Sequence, residues 1–448
     1  MSDTLTYSYS NPSFIEKSGK GDKLFMSEYS EVQKGKSSCF FWGKLNQPFI
    51  VARCLIVLSN VVKSSFHMSP ADLARLKDPI VTAGAGKVRF EGFSHCAGVY
   101  ARVDVLPGAH EGEFPESGTT NVDFNQPMIN ALAGIRKSEE VILSVGEKEL
   151  GLHQGGEKVI ERKVPLPSKW IKGLTTVQIY LSETDMAHTF NRIQAIQLFK
   201  TLPRGSVKVD YYLTTRAGRP MFSPVRSKDA IVIGGIQRLR LLEPLIPLID
   251  KLVIAPHKDM QSCTWQLYFG DVRFTFSISR DHWRGFSGEG AALDALLEDV
   301  PDEWLQTFEN FSYTNQAFNS SLVALEHDIN PDLVTNLTGR LAAMGLLGFD
   351  LDDNGFFFRR LPFKPGRIIS LNPRLKSALK LLEDGKVKIT SRSGTRVEAE
   401  VEGSGVLHMV LLEEQQERCT CTWYARHQGE RGDCKHLMAV KKMIRNEE

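Results

Sequence analysis

The chain has 448 residues, of which 42% are hydrophobic and 24% charged, with a net charge of +2. That length predicts two to four domains with a sizeable core, and the composition excludes wholesale disorder. The near-neutral total singles out no class of partner. The opening MSDTLTYSYSNPSF has no basic-then-apolar leader, and the longest apolar stretch (48–62) is interrupted by Arg53 and Asn60. A soluble, cytoplasmic protein is therefore expected.

Residues 1–205 read as a mixed α+β domain. PFIVARCLIVLSNVVKSSF predicts a buried helix, and KVRFEGF and GVYARVDVL predict strands. NQPMINALAGIRKSEE (125–140) predicts a helix with Asn125 or Gln126 near its start and Pro127 in its first turn. TFNRIQAIQLFKTL (189–202) predicts another. Residues 206–283 read as a β-rich continuation. SVKVDYYLT alternates as a half-buried strand does, and TWQLYFGDVRFTFSIS predicts a hairpin turning at Gly270-Asp271. Pro244 and Pro247 interrupt any helix in RLRLLEPLIPLIDKLVIA.

Over 284–370 the period becomes helical, in AALDALLEDV, DEWLQTFENF and SSLVALEHDI. A further helix is expected with Asn330 as N-cap, Pro331 at N1, and Leu333, Leu337, Leu341 and Met344 on one face. A short strand, an Asp-Asp-Asn-Gly turn and FFFRRL follow. Helices before a small hairpin predict a winged-helix-like segment, or a plain structural connector.

Charge is divided along this region. Residues 285–339 contain ten acids and no Lys or Arg, whereas 359–396 contain eleven basic residues and two acids. The basic run, with Arg359, Arg360, Lys364, Arg367, Lys386 and Lys388, predicts either a phosphate-tracking surface or a protein-docking one. The acidic run either faces away or docks on the basic one. The helix at 331–346 offers only Asn336 and Arg340 for reading a groove, which argues against DNA readout there.

Chemistry shows most openly in RCTCTWYARHQGERGDCKHLMAV (418–440). Cys419-x-Cys421 and Cys434-x-His436 supply four thiolate and imidazole ligands, the number a structural Zn²⁺ takes in a closed tetrahedron. A Cys-x-Cys pair at a strand end aims both sulfurs one way. Asp433 is the expected N-cap of a helix holding Cys434 and His436 in its first turn, where the dipole favours thiolate. His427 is a competing ligand inside the loop. Arg418, Arg426, Arg431 and Lys435 either offset the site's net −1 charge or, for Arg426, Arg431 and Lys435, contact nucleic acid or a partner. Cys39, Cys54, Cys96 and Cys263 read as small buried hydrophobes.

The pattern CTC-x12-CKH resembles the SWIM zinc finger, and KVKITSRSGTRVEAEVEGSGVLHMVLLEEQQERCTC resembles the hairpin that leads into it. The resemblance implies a zinc-finger domain over 371–448 of ββα form, with Cys419, Cys421, Cys434 and His436 as ligands to one structural Zn²⁺. FSHCAGVYARVDVLP, GTTNVDFNQPM and WRGFSGEG resemble segments of bacterial SWIM-containing proteins often encoded near AAA+ ATPases and von Willebrand A proteins. SWIM domains are associated with DNA binding or protein contacts, so the resemblance leaves the partner open.

Other motifs are weaker. WRGFSGEG (283–290) is an anion cradle or a tight turn, with Glu289 opposing phosphate. GAGK (84–87) runs into a strand. Asn121, Asp123 and Asn125 line a small polar pocket or serve turns and caps. HEGEF (110–114) lacks the second histidine of a zinc protease, and no nucleophile-elbow, kinase or dinucleotide pattern occurs. The sequence thus predicts a multi-domain α+β, non-enzymatic zinc protein. It binds nucleic acid, DNA foremost, through its C-terminal region, or else acts as an adaptor for an AAA+ ATPase/von Willebrand A system. No membrane or small-molecule substrate is indicated.

Overall fold

The computed structural model describes residues 14–16, 23–25, 38–64, 79–166, 168–205, 207, 209–216, 218–228, 230–281, 285–287, 295–296, 300–363, 371–403, 405–413, 416–429 and 432–447. Its contacts group into two compact units. The first comprises 1–166, 184–285 and 359–362, and the second 167–183, 286–358 and 363–448. Residues 251–279 of the β-rich continuation share a sheet with the N-terminal region, and the helix at 168–182, which falls within the 1–205 stretch of the sequence reading, belongs to the second unit.

In chain order the first unit begins with a hairpin of β1 (Phe14–Glu16) and β2 (Lys23–Phe25), followed by β3 (Cys39–Leu45) and α1 (Pro48–Lys63). The strands β4 (Ile80–Gly84), β5 (Lys87–Phe93), β6 (Val99–Val105), β7 (His110–Glu113) and β8 (Gly118–Asn121) come next. Then follow α2 (Gln126–Gly134), β9 (Val141–Gly146), β10 (Glu149–Gln154), β11 (Glu157–Arg162) and, in the second unit, α3 (Ser168–Ser182). The unit resumes with β12 (His188–Asn191), α4 (Arg192–Phe199), β13 (Tyr211–Arg216), β14 (Arg219–Ser223), β15 (Ile231–Ile233), β16 (Lys251–Pro256), β17 (Ser262–Phe269) and β18 (Val272–Ser279).

Eight of these strands form an antiparallel sheet in the order β12-β16-β17-β18-β6-β5-β4-β8, and five form a second, β11-β10-β9-β3-β7. The β4–β5 turn places Ala85 (φ +51) and Gly86 (φ +68) in the left-handed region, as a tight hairpin turn requires. The β17–β18 hairpin turns at Gly270 (φ +61), where the sequence placed it. The helix expected over 125–140 ends at Gly134. That expected over 189–202 is shorter, because His188–Asn191 pairs with β16 and Asn191 then caps α4 in a reciprocal capping box with Gln194. The strand expected at 207–213 lies at Tyr211–Arg216, and short 3-10 turns at Ile236–Leu242 and Ile246–Leu248 replace a helix around Pro244 and Pro247.

One face of the eight-stranded sheet is apolar. Val88, Phe90, Ala101, Val103, Phe274 and Phe276 point into the main core, and α1 packs on β5, β6 and β18. The alternate residues are buried as well, although they are polar. Arg89 and Arg273 flank Asp104 in register, Arg102 faces Glu91, and all five side chains are at most 1% exposed. Arg102 and Arg273 each reach Asp104 at 2.9 Å, and Arg359 Nη1 lies 2.5 Å from Glu91 Oε1. Tyr100 O–H donates to the same carboxylate at 2.6 Å. Charges this deep persist only when paired and hydrogen-bonded.

The second unit contains α3 and then α5 (Asp302–Asn315), β19 (Ala317–Phe318), α6 (Ser320–Glu326), α7 (Pro331–Ala343), β20 (Leu347–Asp350) and β21 (Gly355–Phe358). The three strands form a sheet in the order β19-β21-β20. Asn330 caps α7, its side chain accepting from the Asp332 N–H. The helix buries Val334, Leu337 and Leu341, while Leu333 and Met344 sit at the edge of that face. Most of AALDALLEDV lies outside the described residues. Residues 371–447 add α8 (Pro373–Glu383), the antiparallel meander β22 (Val387–Ser393), β23 (Arg396–Gly403), β24 (Val406–Glu413) and β25 (Gln416–Cys419), then α9 (Thr422–His427) and α10 (Lys435–Glu447). This is larger than the ββα finger expected. The sheet carries four strands, and α8 packs against α10 over Leu375, Ala378, Leu437 and Val440. Among the described residues, no helix is long and apolar enough to cross a membrane.

Candidate metal centre

β25 pairs with β24 so that Cys419 stands opposite Val410, at the last ladder position. Two residues on, Cys421 is the N-cap of α9, and its Sγ accepts the Tyr424 N–H at 3.4 Å. Gln428 (φ +45) ends that helix, and Gly429 (φ +86) and Gly432 (φ +70) turn the chain back. Cys434 then opens α10. Its Sγ accepts the Leu437 N–H at 3.4 Å and its carbonyl accepts the Met438 N–H at 3.0 Å. The capping residue is thus Cys434, where the sequence suggested Asp433. The Asp433 carboxylate is committed to Lys441 at 2.7 Å.

The ligand atoms of Cys419, Cys421, Cys434 and His436 all lie within 4.8 Å of one another, and all four residues are buried. His436 Nδ1 is 3.7 Å from Cys419 Sγ. Zn–S and Zn–N bonds of about 2.3 and 2.0–2.1 Å at tetrahedral angles place S and N about 3.6 Å apart, so the spacing suits one ion. The group fits a single structural Zn²⁺. With four protein ligands, no position is left for a reacting water.

The electrostatics agree. A hydrogen bond from Cys419 pulls the Cys434 thiol down to about 4, while acting as that donor, together with burial, pushes the Cys419 thiol up. Burial raises the Cys421 thiol. Three thiols this close ionise together only around a cation. The two N–H···S bonds stabilise the thiolates as they form.

Around the ligands, Arg374 of α8 donates to the Asp433 carbonyl at 2.6 Å and stacks 4.3 Å above the Trp423 ring. Lys441 bridges Asp433 and Glu417, both at 2.7 Å. Burial opposes the Lys441 charge, but these two carboxylates hold its ammonium above the usual range. The His408 ring lies 4.2 Å from that of His436. A Cβ on Gly403 would stand 2.5 Å from His436 Nε2, so only glycine fits beneath the imidazole. Neither Gly403 nor His408 was singled out in the sequence. The signal for the first was a glycine at the end of an otherwise regular strand.

The other proposed contacts are dispersed. Arg359 is a correction: it is buried against Glu91 in the first unit and presents nothing to solvent. Arg360 is exposed, and its backbone N–H donates to Thr119. Lys386 lies 3.9 Å from Glu402, and Lys388 is exposed opposite Glu400 on β23. Arg426 is exposed and Lys435 half-buried. Lys364, Arg367 and Arg431 lie outside the described residues. His427 packs on Trp423 rather than joining the metal group. Asn121 and Asn125 serve local structure, donating to the Val164 carbonyl at 3.1 Å and to Glu161 at 2.8 Å. Of WRGFSGEG, only a 3-10 turn at Gly285–Ser287 is described.

No protein family and no curated protein matches the chain. Among solved structures, it is similar to the PCNA2–PCNA3 complex from Sulfolobus tokodaii, with 9% identity and a TM-score of 0.41 over 54% of this chain and 99% of that one. It is also similar to proliferating cellular nuclear antigen from Entamoeba histolytica, with 10% identity and a TM-score of 0.36 over 54% of this chain and 98% of that one. At these values neither likeness bears on what the protein does.

Proposed function

We propose that the chain is a non-enzymatic interaction protein whose C-terminal SWIM-like region is a zinc-organised docking module for a protein partner. The observation that carries this is the open face of the β22–β25 sheet. The other face packs on α8 and α10 through Val397, Ala399, Val401 and Val410. On the open face, Glu398, Glu400 and Glu402 alternate along β23, beside Leu411, Met409 and Leu407 of β24. Leu407 and Met409 are 54% and 44% exposed. Two of the cations that the basic run supplies to this sheet are paired locally. Lys386 faces Glu402, and Arg396 pairs with Glu398 at 2.6 Å and also with Glu413. Over 371–448, fourteen Lys and Arg meet twelve Asp and Glu, and three thiolates on Zn²⁺ subtract one more charge. A nearly neutral face with exposed apolar side chains and a glutamate border suits a protein with apolar and basic side chains better than a phosphate backbone.

The order α5-β19-α6-α7-β20-β21, with β21 central, is winged-helix-like. α7 carries Asp332, Thr335 and Asn336, and its one cation, Arg340, is half-buried, so it lacks the several exposed cations of a groove reader. A nucleic-acid role is the second reading, and the exposed Lys376 and Lys380 on α8 favour it. An adaptor for an AAA+ ATPase assembly is one form of the first.

A photo-crosslinking amino acid placed at Met409, and separately at Lys380, tests the two in cells that make the protein. The first reading expects a protein adduct at 409, lost when Leu407→Glu is added. Nucleic-acid adducts at 380, with none at 409, would support the second and overturn the first.

A further inference from the structure

We propose that a groove on the first unit, separate from the metal centre and independent of the docking role given to it, binds a short acidic peptide segment carrying an apolar anchor. The groove is a cavity of about 410 Å³ between α4, the turn that follows it, and the 3-10 turn at Ile246–Leu248. Its floor is apolar: Phe199, Leu202 and Ile246 are 7%, 8% and 4% exposed, with Ile196 half-buried beside them. Its rim is basic. Lys200, Arg204 and Arg240 line it against one acid, Glu243.

Two of the cations near the groove are structural and two are available. Arg192 and Arg240 donate to the Pro247 and Pro203 carbonyls and so pin the two walls. Lys200 and Arg204 are exposed and make no ion pair among the described residues. Ile193, one helical turn before Ile196, is 66% exposed and extends the apolar surface outward. A cavity of this volume accommodates one or two side chains rather than a whole domain face. The occupant that matches an apolar floor under a rim with two uncommitted cations is a leucine-like or aromatic side chain with carboxylates on either side. A phosphate-bearing ligand would leave the floor unused, and a basic segment would meet like charge.

The test is fluorescence anisotropy of the full chain with three pools of short fluorescein-labelled peptides. One pool carries Asp and Glu around Leu, Ile, Phe or Trp, the second has Lys in place of the acids, and the third has Ser in place of the apolar residue. The expected result is saturable binding by the first pool alone, at roughly micromolar to 100 micromolar Kd. Lys200→Glu with Arg204→Glu should weaken it by about tenfold or more, and salt should weaken it too. Both substitutions are at exposed positions, and an unchanged melting temperature would show the fold intact. Ile196→Asp, at the floor, should give the same loss. Failure of the first pool to saturate overturns the proposal, as does equal binding by the lysine pool or binding indifferent to all three substitutions. None of these outcomes touches the metal centre, whose zinc content is measured separately.

Discussion

Replacing Arg359 with Met distinguishes a structural cation from a phosphate contact more sharply than any other substitution in the basic run. Its guanidinium lies 2.5 Å from Glu91 Oε1, and both side chains are fully buried. Removing it leaves the carboxylate in the interior with Tyr100 O–H as a donor at 2.6 Å. Losing one partner of a buried pair costs about 3–5 kcal/mol, because the carboxylate stays out of water and loses the guanidinium that touches it. The surviving charge-assisted hydrogen bond does not replace it. For a unit of this size, such a loss lowers the melting temperature by roughly 6–20 °C. Calorimetry gives the shift, and hydrogen exchange in β5 and β6 assigns the transition to the first unit. Glu91→Gln with Arg359→Met should recover part of the loss, since the carboxylate that Arg359 pairs with is then neutral too. A change within about 0.5 kcal/mol for Arg359→Met is what an exposed phosphate-binding side chain would give, and it would refute the reasoning.

Other consequences follow from the metal centre and the buried thiols. Gly403→Ala pushes a methyl group into His436 Nε2 and should lower zinc affinity by about 10–100-fold, read by chelator competition. Arg374→Lys loses the stack on Trp423 and the planar fork, and should speed zinc loss to a chelator while leaving the first unit's melting unchanged. Burial pushes the Cys263 thiol up to about 12 and raises that of Cys54 still further. Both thiols are therefore protonated at pH 8 and buried, so neither residue should react with iodoacetamide in the folded protein, and both should react fully in denaturant. Zinc should be released as pH falls, since protons compete for thiolates and imidazole, and mass spectrometry across a pH series follows the loss.

The four metal ligands were legible because two one-apart pairs of Cys and His have few other uses in a chain with seven cysteines. Their setting was less so. Gly403 and His408 reach His436 through strand register, which local spacing does not encode. KVRFEGF and GVYARVDVL were legible as strands, and both form. Alternation, however, does not distinguish a face turned to water from one turned to a buried ion network, and here the polar face is the buried one. Summing charge along 359–396 treated Arg359 as surface and left out Glu398, Glu400 and Glu402, which lie beyond that window but on the same sheet. The start of α4 was readable from Asn191 and Gln194, an N-cap and its N3 partner, but nothing local shows that His188–Asn191 pairs with β16 and so excludes Thr189 and Phe190 from the helix.

The central claim is that one structural zinc ion organises the C-terminal region, and metal content with limited proteolysis tests it most directly. Plasma mass spectrometry of the intact protein should give about one zinc per chain. Cys434→Ser should lose that zinc and open residues from about 371 onward to protease, while the first unit stays resistant. A folded, protease-resistant C-terminal region containing no zinc, or a Cys434→Ser protein that keeps both its zinc and its resistance, would contradict it.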